Sequence, residues 1–135
     1  MIAFIDTNIP MYAAGKEHPC KTGCLEIMKA IACGEIQAYT NTEVFQEILY
    51  RYYSINERKL GVQLFDSFYT IMQGYILSVQ PPDILLAREL TVEYPTLSSR
   101  DLIHLAVMLN NGITHVFTTD QGFQNINGLQ VISPT

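Results

Sequence analysis

The stretch Ile2-Ala3-Phe4-Ile5-Asp6-Thr7-Asn8 decides the fold, because a short apolar run ends abruptly at a carboxylate. An apolar run of this length predicts a strand that is covered on both faces, which is typical of a parallel sheet. Ligands of such sheets bind outside the carboxyl ends of the strands. The stretch therefore predicts an α/β fold whose functional site lies beside Asp6.

Strand and helix patterns alternate along the rest of the chain. Short apolar or alternating runs predict further strands at 36–40, 76–79, 115–119 and 129–132. Apolar residues at helical spacing predict helices near 19–34, 44–52, 60–74, 81–94 and 98–111, the first with Pro19 in its first turn. This alternation is typical of an α/β domain with a central, mostly parallel sheet of about four or five strands.

Length and composition are those of a single globular domain, residues 1–135. Hydrophobic residues make up 48% of the chain and charged residues 16%, which favours a packed core over disorder. The chain has no apolar run of about 18 residues and no basic stretch before an apolar segment at its start. We therefore expect a cytoplasmic protein that has no membrane segment.

The net charge of −5 excludes one mode of nucleic-acid binding. A protein that coats nucleic acid through bulk electrostatics needs an excess of bases, whereas this chain has 13 acids and 8 bases. A nuclease that concentrates carboxylates around a metal is compatible with this charge. If four acids belong to one metal site, the remaining acids and bases nearly balance.

The cysteines Cys20, Cys24 and Cys33 give no framework of disulfides. Their number is odd and the expected compartment is the cytoplasm, so we expect reduced thiols. His18 lies near two of them, but the spacing matches no standard zinc motif.

Four carboxylates fall at positions that an α/β sheet brings together. Asp6 and Asp120 directly follow predicted strands, and Glu47 and Asp101 interrupt helices whose inner faces are otherwise apolar. Like charges at close range raise one another's pKa, so such a cluster is stable when a divalent cation neutralises it. Oxygen ligands favour Mg²⁺ or Mn²⁺ over zinc.

Each carboxylate also has a purely structural explanation. Asp6 and Asp120 could belong to turns, Glu47 could pair with Arg51 one helical turn later, and Asp101 could cap its own helix. The joint placement of the four acids is poorly explained by these separate roles. It favours one shared pocket.

The motifs around these acids, taken in order, resemble those of PIN domains. The resemblance spans residues 1 to about 132, and the small size is most similar to the VapC toxins of toxin–antitoxin pairs. The matching segments are Asp6-Thr7-Asn8, Val44-Phe45-Gln46-Glu47-Ile48-Leu49, Ser98-Ser99-Arg100-Asp101-Leu102-Ile103-His104-Leu105-Ala106 and Thr118-Thr119-Asp120-Gln121-Gly122-Phe123.

This resemblance implies a three-layer α/β/α fold and the activity of a Mg²⁺- or Mn²⁺-dependent endoribonuclease. Asp6 and Asp101 would hold the principal metal, and Glu47 and Asp120 would complete the pocket or position the attacking water. The side chains of Asn8 and Thr119 would be supporting groups that hold a carboxylate or a water molecule in place.

Glu43 competes with Glu47 for the second acidic position, because it lies one turn earlier on the same helical face. Thr40 and Glu43 form a T-x-x-E pattern, which predicts a capping box. Since the capping box would account for Glu43, we prefer Glu47.

Two further groups of residues have weaker signals. His104 follows Asp101 by three residues, but a lone His among apolar neighbours is typical of a core residue with satisfied hydrogen bonds. Arg51, Arg58 and Lys59 are interleaved with tyrosines, a mixture that can bind single-stranded RNA through phosphates and stacking. The alternative is a solvated or partner-facing helix pair, which would suit an amphipathic helix supplied by an antitoxin.

Three functional hypotheses follow from this sequence. The first is an endoribonuclease toxin that is a homodimer and is paired with a VapB-like antitoxin. The second is a PIN nuclease of RNA maturation that has no antitoxin. The third is a non-catalytic RNA- or protein-binding module, against which the presence of all four acids argues.

Overall fold

Five parallel strands form the sheet, and the first strand of the chain lies at its centre. The computed structural model describes residues 2–134. The strands are β1 (Ile2–Ile5), β2 (Gln37–Asn41), β3 (Ile76–Leu77), β4 (His115–Phe117) and β5 (Gln130–Ile132), in the order β3-β2-β1-β4-β5. All four neighbouring pairs are parallel, which confirms the predicted α/β class.

Six helices connect these strands. They are α1 (Asn8–Ala14), α2 (Lys21–Ala32), α3 (Thr42–Ser54), α4 (Arg58–Met72), α5 (Pro81–Glu93) and α6 (Ser99–Asn110). Right-handed crossovers place α1 to α4 on one face of the sheet and α5 and α6 on the other. The strand order reverses beside β1, so the edge between β1 and β4 is the expected place for a ligand.

The central position of β1 explains its composition. Ala3, Phe4 and Ile5 are fully buried, because a strand with helices on both faces has no side that water reaches. The apolar run ends where the strand leaves the core, and Asp6 is the first residue after it.

Several predicted boundaries differ from the structure. The sequence showed no helix at 8–14, because Asn8 and Pro10 suggested a turn; instead Pro10 lies in the first turn of α1, where its missing N–H costs nothing. Helix α2 begins at Lys21, two residues after Pro19. Strands β3 and β4 end at Leu77 and Phe117, two residues earlier than predicted.

The capping box predicted at Thr40 and Glu43 is wrong. Thr40 is buried in β2 and donates to the carbonyl of Ile5, and Asn41 caps α3 by accepting from the backbone N–H of Val44 at 3.0 Å. The strand continues one residue further than the pattern suggested. The choice of Glu47 over Glu43 therefore depends on the geometry of the site.

The helices of residues 2–134 are too short or too polar for any of them to span a membrane.

Candidate active site

The four predicted carboxylates converge on one cavity at the carboxyl edge of the sheet. The cavity has a volume of about 600 Å³, and its lining includes Asp6, Glu47, Asp101 and Asp120. Asp6 follows β1 and Asp120 follows the neighbouring β4, while Glu47 comes from α3 and Asp101 from the first turn of α6. The cavity therefore lies where the strand order reverses.

Asp6 is the buried centre of this site, with 3% of its surface exposed. The hydroxyl of Thr118 donates to its Oδ2 at 2.7 Å, and the side-chain amide of Asn8 donates to the same oxygen at 3.2 Å. The backbone N–H of Thr7 donates to Oδ1 at 2.8 Å. Burial raises the pKa of Asp6 in spite of these donors, so the charged form benefits from a cation.

Asn8 and Thr118 together connect the ends of β1 and β4. The amide nitrogen of Asn8 also donates to the Thr118 hydroxyl, and its Oδ1 accepts from the backbone N–H of Thr119. The Thr118 hydroxyl in turn accepts from the backbone N–H of Asp120 at 2.9 Å. The residue that supports Asp6 through its hydroxyl is thus Thr118, which the sequence analysis missed, whereas Thr119 contributes its backbone.

Asp101 and Asp120 complete a cluster with Asp6. One carboxylate oxygen from each of the three lies within 4.8 Å of the other two. Burial and the negative charges of Asp6 and Asp120 raise the pKa of Asp101 to about 7. Such mutual repulsion indicates that a positive charge would stabilise the cluster.

The loop after β4 keeps space beside these oxygens. The backbone N–H of Gly122 donates to Asp120 Oδ1 at 2.8 Å. A Cβ atom at this glycine would lie 3.2 Å from that oxygen and 3.7 Å from Asp101 Oδ2. A residue without a side chain therefore lets the backbone approach both carboxylates.

Glu47 is oriented by two donors on the other side of Asp6. The Thr7 hydroxyl donates to Glu47 Oε1 at 2.9 Å, and His104 Nε2 lies 3.0 Å from the same oxygen. Thr7 therefore links two acids, since its backbone binds Asp6 and its hydroxyl binds Glu47. No comparable contact is formed by Glu43 within residues 2–134, so the geometry supports Glu47.

His104 is fully buried, as expected of a core residue, but it is also part of the site. Its Nδ1 lies 3.0 Å from the amide nitrogen of Asn41, whose oxygen is already used as the α3 cap. The amide therefore donates to Nδ1, which places the imidazole proton on Nε2, directed at Glu47. Burial lowers the pKa of His104, but the hydrogen bond to Glu47 and the charge of Asp6 raise it by more, so the net pKa lies above the ordinary value. Nε2 carries a proton in the neutral tautomer and in the charged ring alike.

This protonation state decides which side chains can hold a metal. Ligand atoms of Asp6, Glu47 and His104 also lie within 4.8 Å of one another, but Nε2 carries a proton and has no free lone pair. The cluster of Asp6, Asp101 and Asp120 offers oxygens alone, the donor set of a hard divalent cation. The residues present thus fit such a cation at the three aspartates.

Only one of the three predicted basic residues lies in the described lining of the cavity. Arg51 lines the cavity, and so does Arg100, which the sequence analysis did not select. Arg58 and Lys59 are absent from the described lining, and the guanidinium of Arg58 rests on the Tyr53 ring at 4.6 Å.

The cysteines lie away from this chemistry. Cys20, Cys24 and Cys33 are free thiols, in agreement with the prediction. Burial, with a smaller contribution from Cys20, raises the pKa of Cys24 to about 11. Within residues 2–134, neither they nor His18 belong to a group of side chains close enough to hold a metal.

Comparisons with known proteins identify the class to which this fold and site belong. Residues 3–129 match the profile of the PIN domain. The chain therefore belongs to the PIN domain family, and the predicted family is confirmed.

The relatives within this family are VapC ribonucleases. Ribonuclease VapC13 of Mycobacterium tuberculosis is 34% identical over 126 residues, which cover 93% of this chain and 95% of that protein. Ribonuclease VapC23 of the same species is 32% identical over 119 residues, 87% of this chain and 91% of the relative. Among solved structures, VapBC2 from Rickettsia felis bound to a promoter DNA fragment matches with a TM-score of 0.74 and 18% identity, over 98% of both chains.

Proposed function

We propose that this chain is a divalent-cation-dependent endoribonuclease and the toxin of a VapBC-type pair. The observation that carries the proposal is the cluster of Asp6, Asp101 and Asp120, whose oxygens lie within 4.8 Å of one another in a chain whose relatives are VapC ribonucleases. A cytoplasmic location, where RNA is present, agrees with this activity. Catalysis by Mg²⁺ or Mn²⁺ is the specific form that we propose.

The three aspartates would hold the cation. When bound, a divalent cation supplies charge neutralisation at the phosphate and activates water for attack. Thr118, Asn8 and the backbone of Thr7 keep the buried Asp6 carboxylate fixed. Ligands that are already fixed bind a metal more tightly, because they lose less conformational entropy when the metal binds.

Glu47 is the candidate general base. It lies outside the cluster of three aspartates, and Thr7 and His104 both hold its Oε1. A carboxylate that is oriented in this way can position the attacking water and accept its proton. His104 and Asn41 would then be positioning residues, since they act through Glu47 and do not touch the RNA.

Partner binding is the second part of the proposal. Several of the similar solved structures are VapBC or other toxin–antitoxin complexes, which supports a VapB-like antitoxin for this chain. A groove beside the cavity is lined by Tyr12, Tyr52, Ile55 and Leu60, a surface on which an amphipathic helix would pack well. Nuclease action in RNA maturation, without an antitoxin, is the competing function.

A homodimer is also part of this proposal. Helix α5 exposes Ile84, Leu85 and Val92, with 67% of Leu85 and 80% of Val92 accessible to solvent. Apolar side chains that are exposed along one helix are typical of a protein–protein contact. We propose that a second copy of the chain covers this surface.

The test of the enzymatic proposal is RNA cleavage by the purified chain with Mg²⁺ or Mn²⁺ and with a chelator. We expect the parent to cleave single-stranded RNA only with the cation, and Asp101→Asn to be inactive while remaining folded. Binding of Mn²⁺, measured by its paramagnetic resonance signal, should weaken in the same variant. Undiminished cleavage by Asp101→Asn would refute the site.

The partner proposal has a separate test. Co-expression with the small reading frame next to the gene should give a complex that co-purifies and does not cleave RNA. If the purified toxin cleaves RNA but no neighbouring product associates with it, the competing role in RNA maturation is favoured.

A further inference from the structure

We propose that Arg100 binds a backbone phosphate of the RNA at the rim of the cavity, and that the ring of Tyr50 holds its guanidinium there. This inference rests on the proposed function, since it assigns a contact for the same substrate. It differs from the sequence prediction, which selected Arg51, Arg58 and Lys59.

The position of Arg100 follows from the two elements that carry the acids. Arg100 directly precedes Asp101 in the first turn of α6, and Tyr50 lies three residues after Glu47 on α3. Residues three apart on a helix share a face, so Tyr50 stands beside Glu47. Arg100 and Tyr50 consequently both line the cavity, on the side where α3 and α6 face each other.

The guanidinium of Arg100 is held by an aromatic contact. Its Cζ atom lies 4.4 Å from the centroid of the Tyr50 ring, which is the geometry of a cation–π interaction. An arginine stacked in this way keeps its N–H groups at the edge of the plane, where they can still bind a phosphate. Tyr50 has 54% of its surface exposed, so the stacked pair stands at the mouth of the cavity.

The donors of Arg100 are free in spite of the acids nearby. Four carboxylates line the same cavity, yet Arg100 forms no salt bridge or hydrogen bond within residues 2–134. Arg58 differs, because its guanidinium is also within 3.5 Å of the Tyr53 hydroxyl. Arg100 therefore keeps its hydrogen-bonding capacity for a ligand.

Electrostatics explains why a ligand would need this residue. Arg51 and Arg100 are the positively charged side chains of the described cavity lining, against four acids. A cation at the three aspartates would neutralise the reacting phosphate, but the neighbouring phosphates of the strand would still meet a negative surface. Arg51 is exposed and stacks on no ring within residues 2–134, whereas Arg100 is half-buried and held against Tyr50. Arg100 is therefore better placed to bind one of these phosphates.

The experiment measures binding of a fluorescent single-stranded RNA to chains that carry Asp6→Asn, so that no cleavage occurs. Arg100→Ala should weaken binding about tenfold and reduce the slope of log affinity against log salt by about 0.7, the value of one phosphate contact on a single strand. Lys29→Ala is the control, because it removes the same charge from an exposed position on α2, outside the cavity lining and outside the surfaces proposed for partners. It should change neither the affinity nor the slope.

Variants of Tyr50 test the part of the inference that concerns the ring. Tyr50→Phe keeps an aromatic platform and should bind as the parent does. Tyr50→Ala should weaken binding, and adding Arg100→Ala to it should weaken binding by less than the product of the two single effects, because the two residues act together. In chains that keep Asp6, Arg100→Ala should raise KM more than it lowers kcat.

The outcomes separate this inference from the function on which it rests. If Arg100→Ala binds with the affinity and the salt slope of Lys29→Ala while the parent cleaves RNA, the role of Arg100 is refuted and the nuclease stands. If the parent neither binds nor cleaves RNA, both proposals fail. Equal thermal unfolding temperatures of the variants show that a loss of binding does not come from misfolding.

Discussion

The two sides of the cavity are built on opposite plans. On the strand side, Asp6 is buried and takes hydrogen bonds from Thr118, Asn8 and Thr7. On the other side, which we call the helix side after α6, Asp101 is half-buried and the nearby Asp120, from the loop after β4, is exposed. Arg100 on this side keeps its donors free within residues 2–134. The strand side therefore fixes one carboxylate before a ligand binds, whereas the helix side leaves two carboxylates and the Arg100 donors available to the ligand.

This difference implies that removal of a carboxylate has opposite effects on the stability of the metal-free fold on the two sides. The pKa of Asp6 is raised as well, but its removal leaves three donors without an acceptor, and we expect that loss to outweigh the gain from removing a buried charge. A carboxylate whose pKa is raised by its neighbours destabilises the metal-free fold when it is charged.

The largest effect is expected from truncating the acids. Asp6→Ala and Asp101→Asn should both abolish RNA cleavage, but Asp6→Ala should also lower the free energy of unfolding by about 2–4 kcal/mol, because buried donors lose their partner. Without metal, Asp101→Asn should raise the free energy of unfolding by about 0.5–1 kcal/mol, a small gain because this side chain is partly solvated. Urea unfolding in a chelator measures both changes, and equal losses of stability would remove the contrast.

The next effect concerns the two adjacent threonines after β4. Thr118→Val removes the hydroxyl that donates to Asp6 and should lower Mn²⁺ affinity by about 10–100-fold, the usual range for a residue that orients a metal ligand. Thr119→Val is its matched control, since Thr119 contributes a backbone N–H that the substitution preserves. Calorimetric titration with Mn²⁺ measures both, and equal affinities would show that the hydroxyl has no such role.

A pH dependence follows from the raised pKa of Asp101, which is about 7. Because a proton must leave before the carboxylate binds a cation, Mn²⁺ affinity should rise with pH up to about 7 and then level off. In the metal-free chain, the folded state holds this proton more tightly than the unfolded state does. Stability should therefore fall as pH rises from about 4 to about 7.

The Asp101→Asn variant is the control for this titration, because an amide has no proton to lose in this range. Without metal, the stability of the variant should fall less than that of the parent as pH rises from about 4 to about 7, because the contribution of Asp101 is missing. If the parent and the variant show the same pH dependence of unfolding, the raised pKa is assigned to the wrong group.

The smallest effect is expected at Gly122. The substitution Gly122→Ala would place a methyl group 3.2 Å from Asp120 Oδ1, which requires a shift of a few tenths of an ångström. Because Asp120 lies on the open side, we expect this shift to be accommodated, with a loss of Mn²⁺ affinity of about threefold or less. A loss as large as that of Thr118→Val would show that the helix side is as rigid as the strand side.

The acids that follow strands were predictable, and the residues that support them were not. Asp6 and Asp120 follow apolar runs, so their position after a strand can be recognised from the sequence. The choice between Thr118 and Thr119 depends on where β4 ends, and the sequence pattern does not place that end to within one residue. His104 was assigned to the core because its partner, Glu47, lies 57 positions away on another helix.

The same limit applies to the helix starts. Ser98 caps α6 as its pattern suggested, accepting from the Asp101 N–H at 3.2 Å. At α3 the pattern selected Thr40, but pairing with β3 extends β2 to Asn41, and the cap moves with it. A cap next to a loop could therefore be predicted from sequence, whereas a cap next to a strand depends on the strand's partner.

The hydrogen bond between Thr118 and Asp6 joins residues that are 112 positions apart. During synthesis, β1 leaves the ribosome before β4, and the Asp6 carboxylate has no hydroxyl partner until Thr118 has followed. Contacts of such long range form late in folding, because a large loop must close first. A nascent chain that stops before β4 would hold the first acid of the site without its support, so the cleavage activity would begin only after β4 has paired with β1.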